Sequence, residues 1–329
     1  MEFLQFQNEA QVFLNKLEFE LASHGVHLEK HWMVDHLCYR AASHIEYNFL
    51  KTQFSKFSVL MTESEVNGRP IATYKLKQGL LWRGQKIDVL ELPAPKLGKT
   101  IRSGFEHIEI VCDLSFQELM ARFKNLRLDT NGLIKHFNPE LEIELTQCAI
   151  KFHHLSLESV VNFEKNIRVV QNRSLSLLLQ TLKQYQPVLT GTLPLDLDTA
   201  ESDCDIMITV KNPSEFDQLI ESLKKNWEPQ FSENFIELNC EDLKVEILCE
   251  NIPSTQQIAF LHFLIEERLL RLGGENFKLK LKELRRQGLK TEPAFAKALS
   301  LAGDPYNELL KLQKLSDLEI QETLKGALC

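Results

Sequence analysis

Apolar residues recur along this chain with two different periods, and each period predicts a different kind of element. Near the N-terminus they lie close to helical spacing, which predicts an amphipathic helix over residues 2–23. The apolar positions of this helix are Phe3, Phe6, Phe13, Leu14 and Leu17. In residues 105–112, polar and apolar side chains alternate instead, which predicts a strand with one apolar face.

The same order of predicted elements occurs twice in the first 155 residues. A strand at 34–40 precedes a helix at 43–57, with Ser43 as N-cap and Glu46 at the capping-box position. The strand at 105–112 precedes a helix at 115–126. Three strands follow each helix, predicted at 58–66, 70–76 and 86–93, and at 127–136, 141–147 and 148–154. The pattern predicts two tandem β-α-β-β-β modules that form a half-closed barrel.

The remainder of the chain has a different character, with helices in the majority. Helices are predicted at 167–184 and 213–226, strands at 230–239 and 242–249, and a helical region from there to the C-terminus. In that region Asp304 and Pro305 predict a helix start as N-cap and first residue. These patterns place the boundary near residue 165, giving domains 1–165 and 166–329 in an α+β protein.

Composition and charge exclude several classes of protein. The 329 residues carry a net charge of −8, and neither predicted domain has an excess of Lys and Arg. This disfavours binding to a nucleic-acid backbone. The seven cysteines form no C-x-x-C pair, which is typical of buried thiols in a reducing compartment. With no secretory signal and no long apolar run, we expect a cytoplasmic protein without a membrane span and leave its oligomeric state open.

Polar residues mark the first and last strands of both modules. His36 and Glu91 belong to the first module, and His107 and His153 belong to the second. If the modules pair edge to edge, these strands meet at a common centre. Imidazoles and a carboxylate gathered there would form a divalent-metal site. Taken singly, each of these histidines is more often an ordinary core or surface residue.

Several motifs of the first domain resemble the YecM family of the vicinal oxygen chelate superfamily, which includes glyoxalases and dioxygenases. They are DHLCYR, NGRPI, VLELPAPK, GFEHIEIV and IKFHHLSLESVV, within residues 1–165. The resemblance implies metal ligands at His36, Glu91, His107 and a last-strand site. Superfamily enzymes usually have Glu at that site, whereas this chain offers His153, with His154 as its neighbour. The metal, Zn, Ni, Fe or Mn, therefore stays open.

The resemblance also implies a type of chemistry. Superfamily enzymes bind vicinal oxygens of a small substrate to the metal and stabilise an anion such as an enolate, in lyase, isomerase or dioxygenase reactions. Strand alternation places Arg40 on the face of His36, Glu109 on that of His107, and Lys151 on that of His153. Glu109 is thus a candidate general base, and Arg40 and Lys151 are candidate anion anchors.

A second set of polar residues lies in the C-terminal domain. Gly191 and Thr192 precede Asp203 and Asp205, which share one face of a predicted strand, and Glu246 lies on a later strand. Three carboxylates on adjacent strands can hold Mg²⁺. Gly191 and Thr192 would then contact a phosphate. The alternative is that the two aspartates are solvated residues at a strand end.

This pattern resembles the polymerase-β-type nucleotidyltransferase fold over residues 167–315, in an uncharacterised family. The resemblance implies an α/β domain that binds Mg²⁺ and a nucleoside triphosphate. His262 and Glu266, four residues apart on a predicted helix, would line the same cleft or simply contact each other. Thr291 is predicted to cap the following helix. The alternative for the whole chain is a regulatory protein that binds a small molecule and a nucleotide without turnover.

Overall fold

The structure is a computed structural model that describes residues 2–66, 68–96, 98, 102–135, 137–170 and 172–328. It is an α+β fold, as predicted. By its internal contacts the chain divides into two units. The first comprises Met1–Cys112, Phe116–Lys135 and Pro139–Glu158, and the second comprises Asp113–Ser115, His136–Asn138 and Ser159–Cys329.

The first unit contains three helices and eight strands within the described residues. The helices are α1 (Phe3–Ser23), α2 (His44–Phe54) and α3 (Phe116–Arg122). The strands are β1 (Met33–Arg40), β2 (Ser58–Val66), β3 (Arg69–Trp82), β4 (Gln85–Pro93), β5 (Gly104–Val111), β6 (Arg127–Asp129), β7 (Leu141–Glu144) and β8 (Ala149–His153). A 3₁₀ helix, Asn131–Ile134, separates β6 from β7.

All eight strands form one sheet in the order β2-β3-β4-β1-β5-β8-β7-β6. Each half of this order is one β-α-β-β-β module, so the predicted tandem modules are confirmed. The modules meet through the antiparallel pair β1 and β5, while β1–β4 and β5–β8 are parallel pairs. The first and last strands of both modules therefore lie side by side at the centre of the sheet.

The two faces of these central strands differ in polarity. One face carries Leu37, Leu90, Ile108 and Ile150, each at most 1% exposed. Burial of such side chains contributes about 1.5–3 kcal/mol each to folding. The opposite face carries imidazoles and carboxylates, so the apolar face fixes which way the polar side chains point.

The second unit contains a five-stranded sheet and eight helices within the described residues. Its sheet has the order β11-β12-β13-β10-β9. The strands are β9 (Val188–Thr190), β10 (Cys204–Thr209), β11 (Gln230–Phe231), β12 (Phe235–Cys240) and β13 (Leu243–Glu250). The helices are α4 (Leu157–Lys165), α5 (Arg173–Leu182), α6 (Thr192–Leu195), α7 (Pro213–Leu223), α8 (Ile258–Arg286), α9 (Thr291–Ala298), α10 (Pro305–Leu312) and α11 (Asp317–Leu328), of which α4 begins in the first unit.

Side-chain caps explain several helix starts. Ser43 accepts a hydrogen bond from the Glu46 backbone N–H, and Asp304 accepts one from Asn307, as the sequence predicts. The prediction of a helix from residue 167 is wrong, because the Asn172 side chain caps α5 by accepting from the Leu175 N–H. The α9 prediction also shifts by one residue, since Lys290 is its N-cap.

Some predicted strands are too long. The prediction of one strand over 127–136 is wrong because the chain turns into a 3₁₀ helix after Asp129, whose carboxylate accepts from the Asn131 N–H. The predicted strand 230–239 is divided into β11 and β12. No helix among the described residues is long and apolar enough to cross a membrane.

Candidate functional site

Three adjacent strands of the first sheet bring polar side chains into two rows. In the first row Cys38 on β1 pairs with Glu91 on β4 and His107 on β5. In the second row His36 pairs with Glu109. Because residues two apart on a strand share a face, all five side chains lie on the polar side of the sheet.

The Glu109 carboxylate connects the two rows. Its Oε1 lies 3.1 Å from Nε2 of His107 and 3.5 Å from Nε2 of His36. Atoms of His36, Glu91, His107 and Glu109 that could ligate a metal lie within 4.8 Å of one another. The first three are among the four ligands that the sequence predicts, of which His153 is the fourth, and the two histidines of this group are at most 4% exposed.

Two irregularities in the pairing of β1 with β5 add carboxylates to this group. The register shifts between Val34 and His36 and again between Cys38 and Tyr39, and such β-bulges re-aim side chains. At the first shift Asp35 Oδ2 lies 2.8 Å from Nδ1 of His36. At the second, Glu106 Oε2 lies 3.1 Å from Nδ1 of His107. Both imidazoles thus turn Nε2 toward Glu109.

His153 and Lys151 on β8 occupy different places around Glu109. In the parallel pairing of β5 with β8, Lys151 lies opposite Glu109. His153 lies opposite Val111, two residues farther along β5. His153 therefore forms a group with Asp35 and His36, with its Nε2 3.3 Å from Asp35 Oδ2. Glu109, predicted as a general base, instead joins the group that contains Glu91 and His107.

Both predicted anion anchors form ion pairs in the structure. Lys151 Nζ lies 3.2 Å from Glu109 and 3.3 Å from Glu140. Arg40 pairs with Glu106 and is about one-quarter exposed. Because Arg40 is more exposed than Lys151, a bound ligand can reach Arg40 and replace Glu106 as its ion-pair partner.

The charges of this group keep one another ionised despite their burial. Burial by itself raises the pKa of Glu109, but the positive charges of Lys151 and His36 hold that pKa well below its ordinary value. Burial lowers the pKa of His36, but the charges of Glu109 and Asp35 raise it well above the usual range. A metal bound at this group would therefore replace the proton of His36.

Sequence reasoning missed four neighbours of the predicted ligands. Cys38 lies between Glu91 and His107, and its alternation with His36 is a signal that could have found it. Asp35 and Glu106 could not be found from alternation, because the bulges break it. Arg69 interacts with the charges of Arg40 and Glu91, although it is distant from both in sequence; burial and then Arg40 lower its pKa.

The second unit gathers a different set of carboxylates on β10 and β13. Asp205 pairs with Glu246 on one side and with Thr190 on the other. Asp203, Asp205 and Glu246 each offer an oxygen within 4.8 Å of the other two. Burial first, and then the charges of Asp203 and Glu246, raise the pKa of Asp205 to about 8. This mutual repulsion is what a bound divalent cation would relieve.

Gly191 makes room for this group. Its φ is +71°, and a Cβ built at this position would lie 1.9 Å from Oδ2 of Asp205. Only glycine therefore allows the backbone after β9 to approach the carboxylate so closely. Thr192 follows as a buried residue at the start of α6.

His262 and Glu266, predicted to line the same cleft, are buried on α8 at 6% and 3% exposure. That the two residues line the cleft of Asp203, Asp205 and Glu246 stays a prediction. Burial raises the pKa of Glu266 well above its ordinary value, and the charge of Glu292 raises it further.

The N-terminal part of the chain is similar in sequence to one protein family and to two bacterial proteins. Residues 2–137 match the family described as YecM protein. Protein YecM of Escherichia coli K12 is 27% identical over 147 residues, which span 40% of this chain and 78% of that protein. An uncharacterized protein of Haemophilus influenzae is 26% identical over 159 residues, 41% of this chain and 82% of the relative.

Among solved structures, a structural-genomics protein named EC4020 has a TM-score of 0.41 at 26% identity, over 47% of this chain and 88% of that chain. Cid1 in complex with its short product ApU has a TM-score of 0.30 at 17% identity, over 41% of this chain and 42% of that chain. Residues 173–312 match a family described as a domain of unknown function, DUF4269. The chain thus matches the YecM family model in its N-terminal part and the DUF4269 model in its C-terminal part, which confirms the predicted YecM resemblance.

Proposed function

We propose that the first unit binds a divalent transition metal through His36, Glu91, His107 and Glu109 and uses it to bind a small oxygenated molecule. The observation that carries this proposal is the convergence of the four ligand atoms within 4.8 Å. These atoms come from three strands of two modules, so no local turn or helix explains their meeting.

The chemistry of the donors supports a transition metal. Two imidazoles and two carboxylates suit Zn, Ni, Fe or Mn better than Ca or Mg, which prefer oxygen donors alone. Nε2 of His36 is buried, and its contact with Glu109 Oε1 at 3.5 Å is an ion pair that does not meet the criteria for a hydrogen bond. A metal between these two atoms would give Nε2 a direct ligand bond.

The surrounding residues would prepare the site for this role. Asp35 holds the His36 ring by Nδ1, so that Nε2 remains available. Lys151 keeps Glu109 ionised, as a ligand or a proton acceptor requires. Arg40, at the partly exposed end of the group, would hold an anionic part of the ligand. A bound metal would act as a Lewis acid toward the oxygens of that ligand.

Cobalt titration tests this proposal and its ligand set. Co²⁺ added to the metal-free protein is expected to give a saturable visible absorption spectrum at about one equivalent. Glu91→Gln should weaken binding, whereas His44→Ala, at an exposed histidine, should not. Cys38→Ser distinguishes a thiolate ligand from a bystander. An unchanged spectrum in Glu91→Gln would exclude the proposed ligands.

For the second unit we propose Mg²⁺-dependent binding of a nucleoside triphosphate, followed by nucleotidyl transfer. The supporting observation is the group of Asp203, Asp205 and Glu246 beside the backbone of Gly191. Three carboxylates at this separation suit Mg²⁺, which would neutralise the triphosphate. The Gly191 N–H and Thr192 hydroxyl would contact a phosphate.

In the proposed transfer, a hydroxyl oxygen of an acceptor forms a bond to the α-phosphorus of the nucleotide. The bond from that phosphorus to the β-phosphate oxygen breaks, and pyrophosphate leaves. The hydroxyl proton passes to water, because Asp203, Asp205 and Glu246 would all hold Mg²⁺ in this proposal.

Equilibrium binding of ATP, GTP, CTP and UTP with and without Mg²⁺ tests the second proposal. We expect Mg²⁺-dependent binding that Asp205→Asn abolishes and Asp217→Asn, at an exposed site, preserves. Release of pyrophosphate during incubation would identify an enzyme. Stoichiometric nucleotide binding without release of pyrophosphate would favour the regulatory alternative. Nucleotide binding that is unchanged by removal of Mg²⁺ and by Asp205→Asn would refute the site.

A further inference from the structure

Two arginines lie at one side of the polar face of the first sheet, beyond the proposed metal ligands. Arg40 follows Cys38 by two residues on β1, and Cys38 lies opposite Glu91, so all three side chains share this face. Arg69 begins β3, four residues before Thr73, which also lies opposite Glu91. The alternation of β3 therefore puts Arg69 on the polar face as well.

Contacts at the end of β4 bring the two arginines to the same place along the strands. On one side of β4 the Ala41 N–H donates to the Pro93 carbonyl at 3.5 Å, which puts Arg40 beside the end of this strand. On the other side Nη1 of Arg69 donates to the Ala94 carbonyl at 3.0 Å. The end of β4 thus lies between the two arginines, two residues and about 6.6–6.8 Å past Glu91.

The guanidinium of Arg69 has donors beyond the one that bonds Ala94. Among the described residues its Nε is buried without a hydrogen-bond partner, and the side chain forms no ion pair with any of them. A buried charged donor normally has an acceptor. Burial lowers the pKa of Arg69 and the positive charge of Arg40 lowers it further, as two neighbouring cations would. A bound anion would supply the missing acceptor and offset this repulsion.

Glu106 indicates which kind of anion fits. Its Oε2 pairs with Nε of Arg40 and also lies 3.1 Å from Nδ1 of His107. If a carboxylate of a ligand replaced Glu106 at Arg40, Glu106 would keep His107 as its partner. The planar guanidinium matches a carboxylate with two parallel hydrogen bonds. The exchange therefore leaves no charge of this group unpaired.

We propose that Arg40 and Arg69 bind the distal carboxylate of a small dicarboxylic oxo acid, whose vicinal oxygens bind the metal of the first unit. The metal end of this assignment rests on the proposed function, whereas the arginine end rests on the contacts of β1, β3 and β4. Because the arginines lie about 6.6–6.8 Å past Glu91 along the strands, a short carbon chain separates the two ends of the ligand. Arg69 becomes a residue that determines specificity for such an acid.

Calorimetric titration of the Co²⁺-loaded full chain with two matched acids tests the inference. 2-Oxoglutarate has vicinal oxygens at one end and a carboxylate at the other, and 2-oxovalerate is the same chain without the distal carboxylate. We expect the wild type to bind 2-oxoglutarate about tenfold more tightly than 2-oxovalerate. Equal affinities for the two acids would overturn the proposal.

The Arg69→Met variant tests the residue, because methionine keeps an apolar stem and removes the charged donors. It should bind 2-oxoglutarate about tenfold less tightly than the wild type, with unchanged affinity for 2-oxovalerate and for Co²⁺. Arg127→Met removes an arginine that is 80% exposed on β6 of the same sheet and should change neither affinity. A preference for 2-oxoglutarate that survives in Arg69→Met would also overturn the proposal.

The metal-free protein separates this inference from the proposed function. Glutarate should bind it saturably, and Arg69→Met should weaken this binding while Arg127→Met does not. If the wild type binds no Co²⁺ but binds glutarate through Arg69, the metal site is refuted and the arginine pair stands. If Co²⁺ binds but the two oxo acids bind equally, the arginine pair is refuted and the metal site stands.

A second variant keeps the test decisive if Arg69→Met fails to fold by circular dichroism. Arg40→Met should then lose the preference for 2-oxoglutarate by the same factor, because both guanidiniums hold the distal carboxylate. Arg40 is about one-quarter exposed, and its removal leaves Glu106 in contact with His107. An undiminished preference in Arg40→Met would overturn the proposal.

Discussion

Asp35 and Glu106 lie where the pairing of β1 with β5 loses its register, and each holds the Nδ1 atom of a histidine. Carboxylates in this position fix the tautomer and the ring orientation of metal-binding histidines. The Asp35 carboxylate also accepts a hydrogen bond from the Leu157 N–H at 2.9 Å, which keeps it in place. The geometry of His36 therefore depends on a residue that is not itself among the four ligands of the proposed site.

The Asp35→Asn variant tests this dependence. We expect metal affinity to fall by roughly 10–100-fold, because the amide holds the imidazole less firmly and no longer raises its basicity. Competition with a chelator of known affinity gives the measurement. Asp242→Asn, at an exposed position of the second unit, is the control for a lost carboxylate. An affinity equal to that of the wild type would show that His36 is oriented by other contacts.

Gly191→Ala tests the close approach of backbone and carboxylate in the second unit. The positive φ alone costs about 1 kcal/mol for alanine, and the new Cβ would also displace Asp205. Gly288→Ala is a matched control, since Gly288 has a φ of +88° and open space around it. We expect a larger loss in Tm for Gly191→Ala than for Gly288→Ala, and a loss of Mg²⁺-dependent nucleotide binding in Gly191→Ala only. Intact binding there would argue against a phosphate site at this turn.

At the scale of single residues, the sequence predicted where some side chains of the site lie and did not predict others. Strand alternation correctly placed Glu109 on the face of His107, because the period of two holds along β5 between them. It could not show that Asp35 and Glu106 turn toward the same group, since a bulge is set by pairing with another strand. Alternation also could not show that Glu109, and not His153, joins the group of Glu91 and His107, because this depends on the register between β5 and β8.

Among the elements, the central strand pair β1–β5 determines the site. The order of predicted elements was sufficient for the two modules, because each strand and helix has its own local period. The lengths were less predictable. Phe54 ends α2 three residues before the predicted end, and Arg122 ends α3 four residues early, since helix ends depend on packing and caps more than on periodicity.

Asp88 on β4 provides a pH-dependent test of sheet stability. Its carboxylate is 3% exposed and lies 2.9 Å from Lys75 and 2.8 Å from Lys86. Burial raises the pKa of Asp88, but the two lysines lower it below the ordinary value overall. A lowered folded-state pKa stabilises the fold above the unfolded pKa of about 3.9, and this contribution is lost as the pH falls.

The Asp88→Asn variant should therefore lose about 2 kcal/mol of unfolding free energy near pH 7, a value reduced for the partial exposure of both lysines. The difference from the wild type should shrink as the pH approaches about 3. Urea unfolding across this range gives the measurement, with Glu65→Gln on the exposed edge strand β2 as control. A difference that is constant with pH would mean that Asp88 acts by packing and not by charge.

For the whole molecule, the two units offer different donors and thus different cations. The first combines imidazoles with carboxylates, and the second gathers carboxylates alone. Ligand preference predicts a transition metal in the first and Mg²⁺ in the second. The absence of nucleic-acid binding, expected from the net charge of −8, stays a prediction. The domain boundary predicted near residue 165 stays a prediction.

Elemental analysis of the purified, untagged protein is the most direct test of the metal site. The double variant Glu91→Ala/His107→Ala removes two ligands, and Asp203→Asn serves as a control that alters only the second unit. We predict about one equivalent of a transition metal in the wild type and in Asp203→Asn, and none in the double variant. Equal metal content in all three proteins, or no metal in the wild type after reconstitution, would contradict the assignment of His36, Glu91, His107 and Glu109 as ligands.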